Sequence, residues 1–134
     1  MQKKKKLLVL PFPSTAFIRD PVLCTDEGDL LLSMDFDDVG QQRSVRLRFI
    51  KQRAFRKRSE IYCTEWHVND TYDTVCEVQK SDWVDELRAA SVPEWRDKWV
   101  MRHFMIYVDS FGCVEVVAKT AVLDNEGTIN SGGT

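Results

Sequence analysis

The chain has 134 residues, a formal net charge of −2 and 43 % hydrophobic residues. This length is typical of one domain with its own core, and the charge lacks the basic excess of a typical nucleic-acid-binding domain. No stretch approaches the roughly 20 apolar residues of a membrane span. We therefore expect one domain over residues 1–123 that does not enter a membrane.

The cysteines and the first residues indicate the cellular compartment. The composition of the two terminal segments predicts which of their residues are unfolded. The four cysteines are far apart, without a C-x-x-C pair. The apolar run at 7–10 is shorter than the roughly 7–15 residues of a signal peptide's apolar core. Both features favour a cytoplasmic protein with reduced thiols. Residues 1–6 are predicted to be a frayed basic lead-in, and the glycine-rich segment 124–134 a disordered tail.

Alternation of apolar and polar residues predicts most of the strands. Short strands are expected at 7–10 and 22–25. From Asp29 the period becomes two, and with the turn residues DDVGQQ it predicts an antiparallel hairpin over about 29–50. Further strands are expected at 52–63 and 74–78. The alternation returns at 102–118, where the turn DSFG predicts a second hairpin.

One helix is predicted between these hairpins. Ser81 or Asp82 can cap it, and acidic residues in the first turn suit the positive end of a helix, so we expect a helix over about 82–90. The sequence SVPE has the pattern of a capping box and predicts a short helical turn at 92–98. The whole predicts an α+β fold: an antiparallel sheet of about six strands, with the helix and the short turn packed on one face.

Charge is segregated along the middle of the chain. Residues 20–42 contain seven acidic residues and no Lys or Arg, whereas residues 43–58 contain eight basic residues and no Asp or Glu. In the first hairpin we expect the outward carboxylates of Asp35 and Asp37 to face Arg46 and Arg48, each pair contributing about 0.2–1 kcal/mol. The later bases have no acidic partner nearby in sequence.

These later bases predict a surface that binds an acidic or charge-segregated protein partner, because segregated charge raises encounter rates and selects partners. Trp66 and Trp95 are candidate anchors, since Trp and Arg dominate binding hot spots. The predicted partner-binding residues are Arg53, Arg56, Lys57, Arg58, Trp66 and Trp95.

Two alternatives stay open. A small enzyme would use His103 or His67 with a nearby Cys or Glu, because such partners meet in space rather than in sequence. A single-stranded nucleic acid could bind through 43–58, where Phe49, Phe55, Tyr62 and Trp66 alternate with bases, although the neighbouring acids disfavour it.

No catalytic residue, metal site or cofactor is assigned from the sequence. The chain has no G-x-S-x-G, P-loop or dinucleotide motif. Cys63 and His67 have the spacing C-x-x-x-H, but in a strand they stand about 13 Å apart. The dense local ligand pairs of zinc ribbons are absent from the sequence.

The segments RHFMIYVDSFGCVEVVAK at 102–119 and SDWVDELRA at 81–89 resemble small single-domain bacterial proteins of unassigned role. The strand–helix–hairpin order is also similar in style to immunity proteins that neutralise secreted toxins. The resemblance covers about residues 45–119 and implies a binding role, without carrying over any catalytic residue. The sequence thus predicts a non-enzymatic protein-binding domain, of which a toxin-neutralising immunity protein is the most concrete form.

Overall fold

The computed structural model describes residues 2–95 and 98–125, which form two antiparallel sheets packed face to face. The strands are β1 Lys3–Val9, β2 Val22–Asp26, β3 Asp29–Asp38, β4 Gln41–Ile50, β5 Ala54–Arg58, β6 Thr74–Gln79, β7 Arg102–Val108, β8 Gly112–Ala118 and β9 Thr120–Asn125. The helices are α1 Glu65–Val68 and α2 Asp82–Ala90, with short 3-10 turns at Ser14–Ala16 and Glu60–Tyr62.

The strands divide into a five-stranded sheet, ordered β1-β6-β7-β8-β5, and a four-stranded sheet, ordered β2-β3-β4-β9. The α+β class with antiparallel sheets is confirmed. The prediction of about six strands in one sheet is wrong, because the described residues form nine strands in two sheets. Residues 3–6 are not a frayed lead-in, because they pair with β6 as part of β1. β9 continues through residue 125, two residues into the predicted tail, and residues 126–134 lie outside the described residues.

The hairpin of β3 and β4 follows from its alternation. Its two-residue loop, Val39 and Gly40, has φ of 51° and 83°, the backbone of a type I′ turn that matches the twist of the strands. The inward residues of both strands are buried, among them Leu32 and Phe49 with no exposed surface.

The main core lies between the two sheets. Phe49 of β4 and Phe104 of β7 meet there with ring centroids 6.0 Å apart. Burial of such side chains, at about 25 cal/mol per Å² of apolar surface, is what holds one sheet against the other. The buried cluster contains Leu10, Leu30, Leu32, Met34, Phe36, Val45, Leu47, Phe49, Val75, Phe104, Ile106, Val108, Val114, Val116 and Ala118.

The opposite face of the five-stranded sheet carries α1 and α2. The bounds of α2 agree with the prediction, because Ser81 caps it by accepting a hydrogen bond from Val84 N at 3.1 Å. The predicted helical turn at 92–98 is a series of turns in its described part, with Trp95 N donating to Val92 O at 3.0 Å. Residues 96 and 97 of that prediction lie outside the described residues.

The two sheets are joined at one corner. Residues 51–53 carry the chain from β4 to β5, and Lys119 alone carries it from β8 to β9. β4 pairs with β9 and β5 pairs with β8, so two neighbouring chain segments leave one sheet and enter the other side by side. The strand pairing is therefore continuous from one sheet to the other along this corner.

No helix among the described residues is long and apolar enough to cross a membrane.

Candidate functional site

Four of the six predicted partner-binding residues lie around one cavity at the edge of the five-stranded sheet. We call it the β5 cavity; its volume is about 260 Å³ and it is lined by Arg56, Lys57, Arg58, Trp66, His67 and Glu115. In the described part of the chain, β5 is an edge strand that pairs only with β8. The structure therefore brings Arg56 and Arg58 of β5 together with the tryptophan of α1, whereas the ammonium of Lys57 turns to the other face of the strand.

The wall formed by α1 is fixed by its own turn. Thr64 N donates to Nδ1 of His67 at 2.9 Å, so this nitrogen accepts and the neutral ring carries its hydrogen on Nε2. Burial lowers the pKa of His67, and the nearby charge of Arg58 lowers it further. His67 therefore lines the cavity as a neutral hydrogen-bonding group near pH 7.

Lys4 of β1 fixes the position of Trp66. Its ammonium donates to the carbonyl of Trp66 and, at 2.6 Å, to the carbonyl of Asn69, both at the end of α1. The same ammonium lies 4.2 Å from the centroid of the Trp66 ring, and Trp66 remains 37 % exposed. The sequence missed this role because the lysine run carries no periodic signal.

The three bases of β5 differ in their partners. Arg56 donates two hydrogen bonds of 3.1 Å to Glu115. Arg58 donates to the carbonyl of Tyr62 at 3.2 Å, and the ammonium of Lys57 lies 4.2 Å from the ring centroid of Phe111, on the other face of the strand. No carboxylate among the described residues pairs with Lys57 or Arg58, so their charges are open to a partner.

Behind Arg56 lies a chain of hydrogen bonds that we call the buried relay. His103 Nε2 contacts Glu115 Oε1 at 2.7 Å, and His103 Nδ1 contacts Ser81 Oγ at 2.8 Å. Ser81, His103 and Glu115 are all less than 10 % exposed. Since the ionised carboxylate can only accept, Nε2 donates, and the Ser81 hydroxyl can donate to Nδ1 of the neutral ring.

Trp83 of α2 covers this relay. Its ring meets His103 edge-on with centroids 5.1 Å apart, and the guanidinium of Arg56 lies 4.0 Å from its centroid. Burial by itself raises the pKa of Glu115, but hydrogen bonds from His103 and Arg56 outweigh burial and lower it to about 2. The relay thus ties α2, β7, β8 and β5 together and holds one wall of the β5 cavity.

Sequence analysis did not identify Glu115, although a signal for it exists. In CVEVVA both alternating sets of β8 are otherwise apolar, and the structure buries every residue of this strand. A single acid in a strand that is buried on both faces needs a buried partner, since an unpaired charge there is costly. His103 on the neighbouring strand was the available candidate.

Arg53 and Trp95 do not belong to the β5 cavity. They lie at the corner between the sheets, where the guanidinium of Arg53 stacks 3.7 Å from the ring centroid of Trp99. Trp95 and Trp99 have ring centroids 6.3 Å apart, and Trp95 is 49 % exposed. The predicted binding residues therefore form two neighbouring groups rather than one.

Arg43 and Arg48 of the four-stranded sheet pair with acids, but the predicted register is wrong. Asp35 lies opposite Ser44 and Asp37 opposite Gln42, so neither stands directly opposite Arg46 or Arg48. Arg48 instead binds Asp29 at 2.8 Å. The register differs because the tight loop between β3 and β4 fixes which residues stand opposite.

The two buried cysteines offer little nucleophilic character. Burial raises the pKa of Cys113 to about 12 and also raises the pKa of Cys76. Cys63 Sγ donates to the carbonyls of Arg58 and Ser59, each at 3.5 Å, whereas His67 bonds to Thr64. Within residues 2–95 and 98–125, no three His, Cys, Asp or Glu side chains are arranged to hold a metal ion.

Comparison of this chain with protein-family models, with curated proteins and with solved structures found no match.

Proposed function

We propose that this chain is a protein-binding domain that docks an acidic, extended segment of its partner along strand β5. One observation carries the proposal: Arg56, Lys57, Arg58 and Trp66, all selected from the sequence, line a single cavity beside an edge strand. An extended segment can add to such an edge through main-chain hydrogen bonds, and side-chain pockets then give specificity.

Charge supports an acidic partner. Arg43 and Arg48 of the four-stranded sheet bind Asp38 and Asp29, whereas no carboxylate within residues 2–95 and 98–125 pairs with Lys57 or Arg58. Basic side chains on an edge strand repel a second copy of the same strand. They attract an acidic strand, so the β5 edge favours an acidic segment over a second copy of β5.

Exposed apolar groups beside β5 support a protein partner. Phe55 is 44 % exposed, Ile61 is 82 % exposed and Tyr62 is 67 % exposed. Such groups next to arginines are the usual composition of binding hot spots. An immunity protein is the concrete form of this proposal, and its toxin would then have an acidic rim around the site to be covered.

The experiment compares two synthetic peptides, one alternating Glu and Val and one alternating Gln and Val. We expect the acidic peptide alone to slow hydrogen exchange at the β5 amides that face away from β8. The double variant Lys57→Glu/Arg58→Glu should abolish this protection. Arg56 is left unchanged, because its loss would also disturb Glu115.

The matched control is Lys3→Glu/Lys5→Glu, which makes the same charge change on exposed residues of the other edge strand, β1. It should retain binding. Equal loss of peptide binding in both double variants would show that binding depends only on net charge, and would reject the proposal. Preferential protection by a single-stranded oligonucleotide would favour nucleic acid instead, although Phe49 is buried in the core and cannot stack on a base.

A second candidate function is hydrolysis at His103, and the buried relay favours it. Ser81 and His103 line a cavity of about 360 Å³, and a serine that attacks a carbonyl there would pass its proton to Nδ1 while Glu115 stabilises the charged ring. Against it, Ser81 is buried and already caps α2. A fluorophosphonate probe decides: labelling of Ser81 supports hydrolysis, and an unlabelled Ser81 rejects it.

A further inference from the structure

The corner between the sheets places three basic residues on a firmly held backbone. Lys51 N donates to Asp29 Oδ1 at 2.8 Å, Arg53 N donates to Val117 O at 2.7 Å, and Lys119 N donates to Ile50 O at 2.9 Å. Lys51 also has φ of 52°, in the left-handed region that few non-glycine residues adopt. These side chains therefore start from positions that the strand pairing has already fixed.

Their side chains surround a second cavity, which we call the corner cavity. Its volume is about 220 Å³ and it is lined by Lys51, Arg53, Lys98, Trp99, Val100 and Lys119. One water occupies roughly 30 Å³ of liquid, so the cavity has room for a small anion together with water. Among the residues that the structure describes, the four charged side chains of this lining are all basic.

These four bases form no ion pair with the described part of the protein, although Asp29, which pairs with Arg48, also interacts with the charge of Lys51. Arg43, Arg48, Arg56 and Arg102 each bind a carboxylate, but the lining bases of the corner cavity form no such pair within residues 2–95 and 98–125. Four cations around one cavity repel one another, and an anion between them removes that repulsion.

Arg53 is prepared for an anionic ligand. Its guanidinium lies over the ring of Trp99, with Cζ 3.7 Å from the centroid, and its Nε is buried without a hydrogen-bond partner. This contact restricts the side chain, so less freedom is lost when its remaining N–H groups bind an oxyanion in a bidentate manner.

We infer that the corner cavity binds a phosphate monoester dianion. A single carboxylate supplies one charge and two oxygens, whereas a monoester supplies up to two charges and three acceptor oxygens for four cationic groups. The inference does not rest on the proposed docking along β5, because the two cavities share no lining residue. Its ligand is either a free phosphorylated compound or a phosphorylated side chain of another protein.

The test titrates the whole chain, labelled with ¹⁵N, with inorganic phosphate at constant ionic strength set by chloride. We expect saturable shifts of the Trp99 indole N–H and the Arg53 Nε–H. Arg53→Gln should weaken binding roughly tenfold or more, because it removes charge-assisted hydrogen bonds. Lys51→Gly should also weaken it and still fold, because glycine readily adopts the left-handed φ of this position.

Lys5→Gln is the matched control, since it removes one exposed charge on β1 and should change affinity by less than about twofold. A phosphoserine pentapeptide then identifies the source: tighter binding than inorganic phosphate supports a phosphorylated side chain, and weaker binding supports a free compound. Absence of saturable shifts, or equal weakening by Lys5→Gln and Arg53→Gln, would overturn the inference.

The same titrations separate this site from the docking surface. Lys57→Glu/Arg58→Glu should lose the acidic peptide and keep phosphate, whereas Arg53→Gln should lose phosphate and keep the peptide. Loss of both ligands in both variants would contradict the assignment of two sites.

Discussion

Arg56 and Glu115 lie directly opposite each other on β5 and β8 and share two hydrogen bonds of 3.1 Å. The same carboxylate accepts from His103 Nε2 at 2.7 Å. Arg56 was predicted from the sequence to bind a partner protein, but in the structure its guanidinium is already bound to Glu115. Its role in binding is therefore to shape the β5 cavity, while Lys57 and Arg58 carry the open charge.

The low pKa of Glu115, about 2 against the ordinary 4.5, makes a prediction for acid stability. A carboxyl whose pKa is lower in the folded state stabilises the protein above its unfolded pKa, and this contribution is lost as the pH falls from about 5 towards 2. Glu115→Gln should lower the free energy of unfolding at pH 7 by about 1–3 kcal/mol, because Arg56 and His103 lose a charged acceptor with two oxygens and keep a neutral one with a single oxygen. Urea denaturation at pH 7 and pH 3 should show this deficit shrinking in acid.

Glu86→Gln is the control for this experiment, since Glu86 lies on α2 and is exposed. It should change little at either pH. A deficit of Glu115→Gln that stays constant down to pH 3 would contradict the stabilising role of the ionised carboxylate.

The loop between β3 and β4 predicts a stabilising substitution. Val39 is 96 % exposed and has φ of 51°, a conformation in which a β-branched side chain is strained. Asparagine tolerates this region and precedes glycine in most type I′ turns, so Val39→Asn should raise the free energy of unfolding by about 1 kcal/mol. Thermal and urea denaturation measure the change.

Val92→Asn is the matched exchange, because Val92 is 55 % exposed, lies outside helices and strands, and does not have a positive φ. It should be close to neutral. If both exchanges change the free energy of unfolding equally, backbone strain at Val39 is not the cause.

Gly112 predicts a destabilising substitution that acts on β5. Its φ is 116°, and a Cβ built there would lie 2.1 Å from the carbonyl oxygen of Arg58. Gly112→Ala should therefore cost about 2–4 kcal/mol and speed hydrogen exchange along β5. Gly28→Ala isolates the backbone cost, because Gly28 has φ of 87° with nothing within 4 Å of its Cβ, and it should cost only about 1 kcal/mol. Equal costs would mean that the close approach to Arg58 does not matter.

Thiol reactivity tests whether a cysteine can serve as a nucleophile. Cys24 is exposed, whereas Cys113 is buried and has a pKa of about 12, so at pH 8 only about one Cys113 thiol in ten thousand is ionised. Iodoacetamide at pH 8 should modify Cys24 early and Cys113 only after unfolding in urea. Mass spectrometry of digests identifies each site, and rapid native labelling of Cys113 would reopen the cysteine–histidine alternative.

Local sequence was sufficient for the elements whose pattern is local. The alternation at 29–50 and 102–118 predicts both hairpins, and Ser81 predicts the start of α2. Local sequence predicted a strand at 7–10 but not the start of β1 at Lys3, because the lysines at 3–6 show no apolar alternation. The division into two sheets depends on pairings such as β4 with β9, which no short segment encodes.

The same distinction applies to the sites. Composition identified Arg53 and Arg58 as surface bases, but only the corner between the sheets separates them into two cavities. The buried relay required knowing that β7 and β8 place His103 and Glu115 on one face. The sequence shows which side chains are basic or acidic, but the chain topology determines which of them become neighbours.

The side-by-side crossing of the two chain segments at the corner has a consequence for synthesis on the ribosome. Among the described strands β5 pairs only with β8, and Glu115 follows Arg56 by 59 positions along the chain. The nascent chain must therefore emerge as far as β8 before β5 can pair, and as far as β9 before the free edge of β4 can pair. Until then the β3–β4 hairpin has an unpaired edge on β4, and we expect chaperones to bind at that stage of translation.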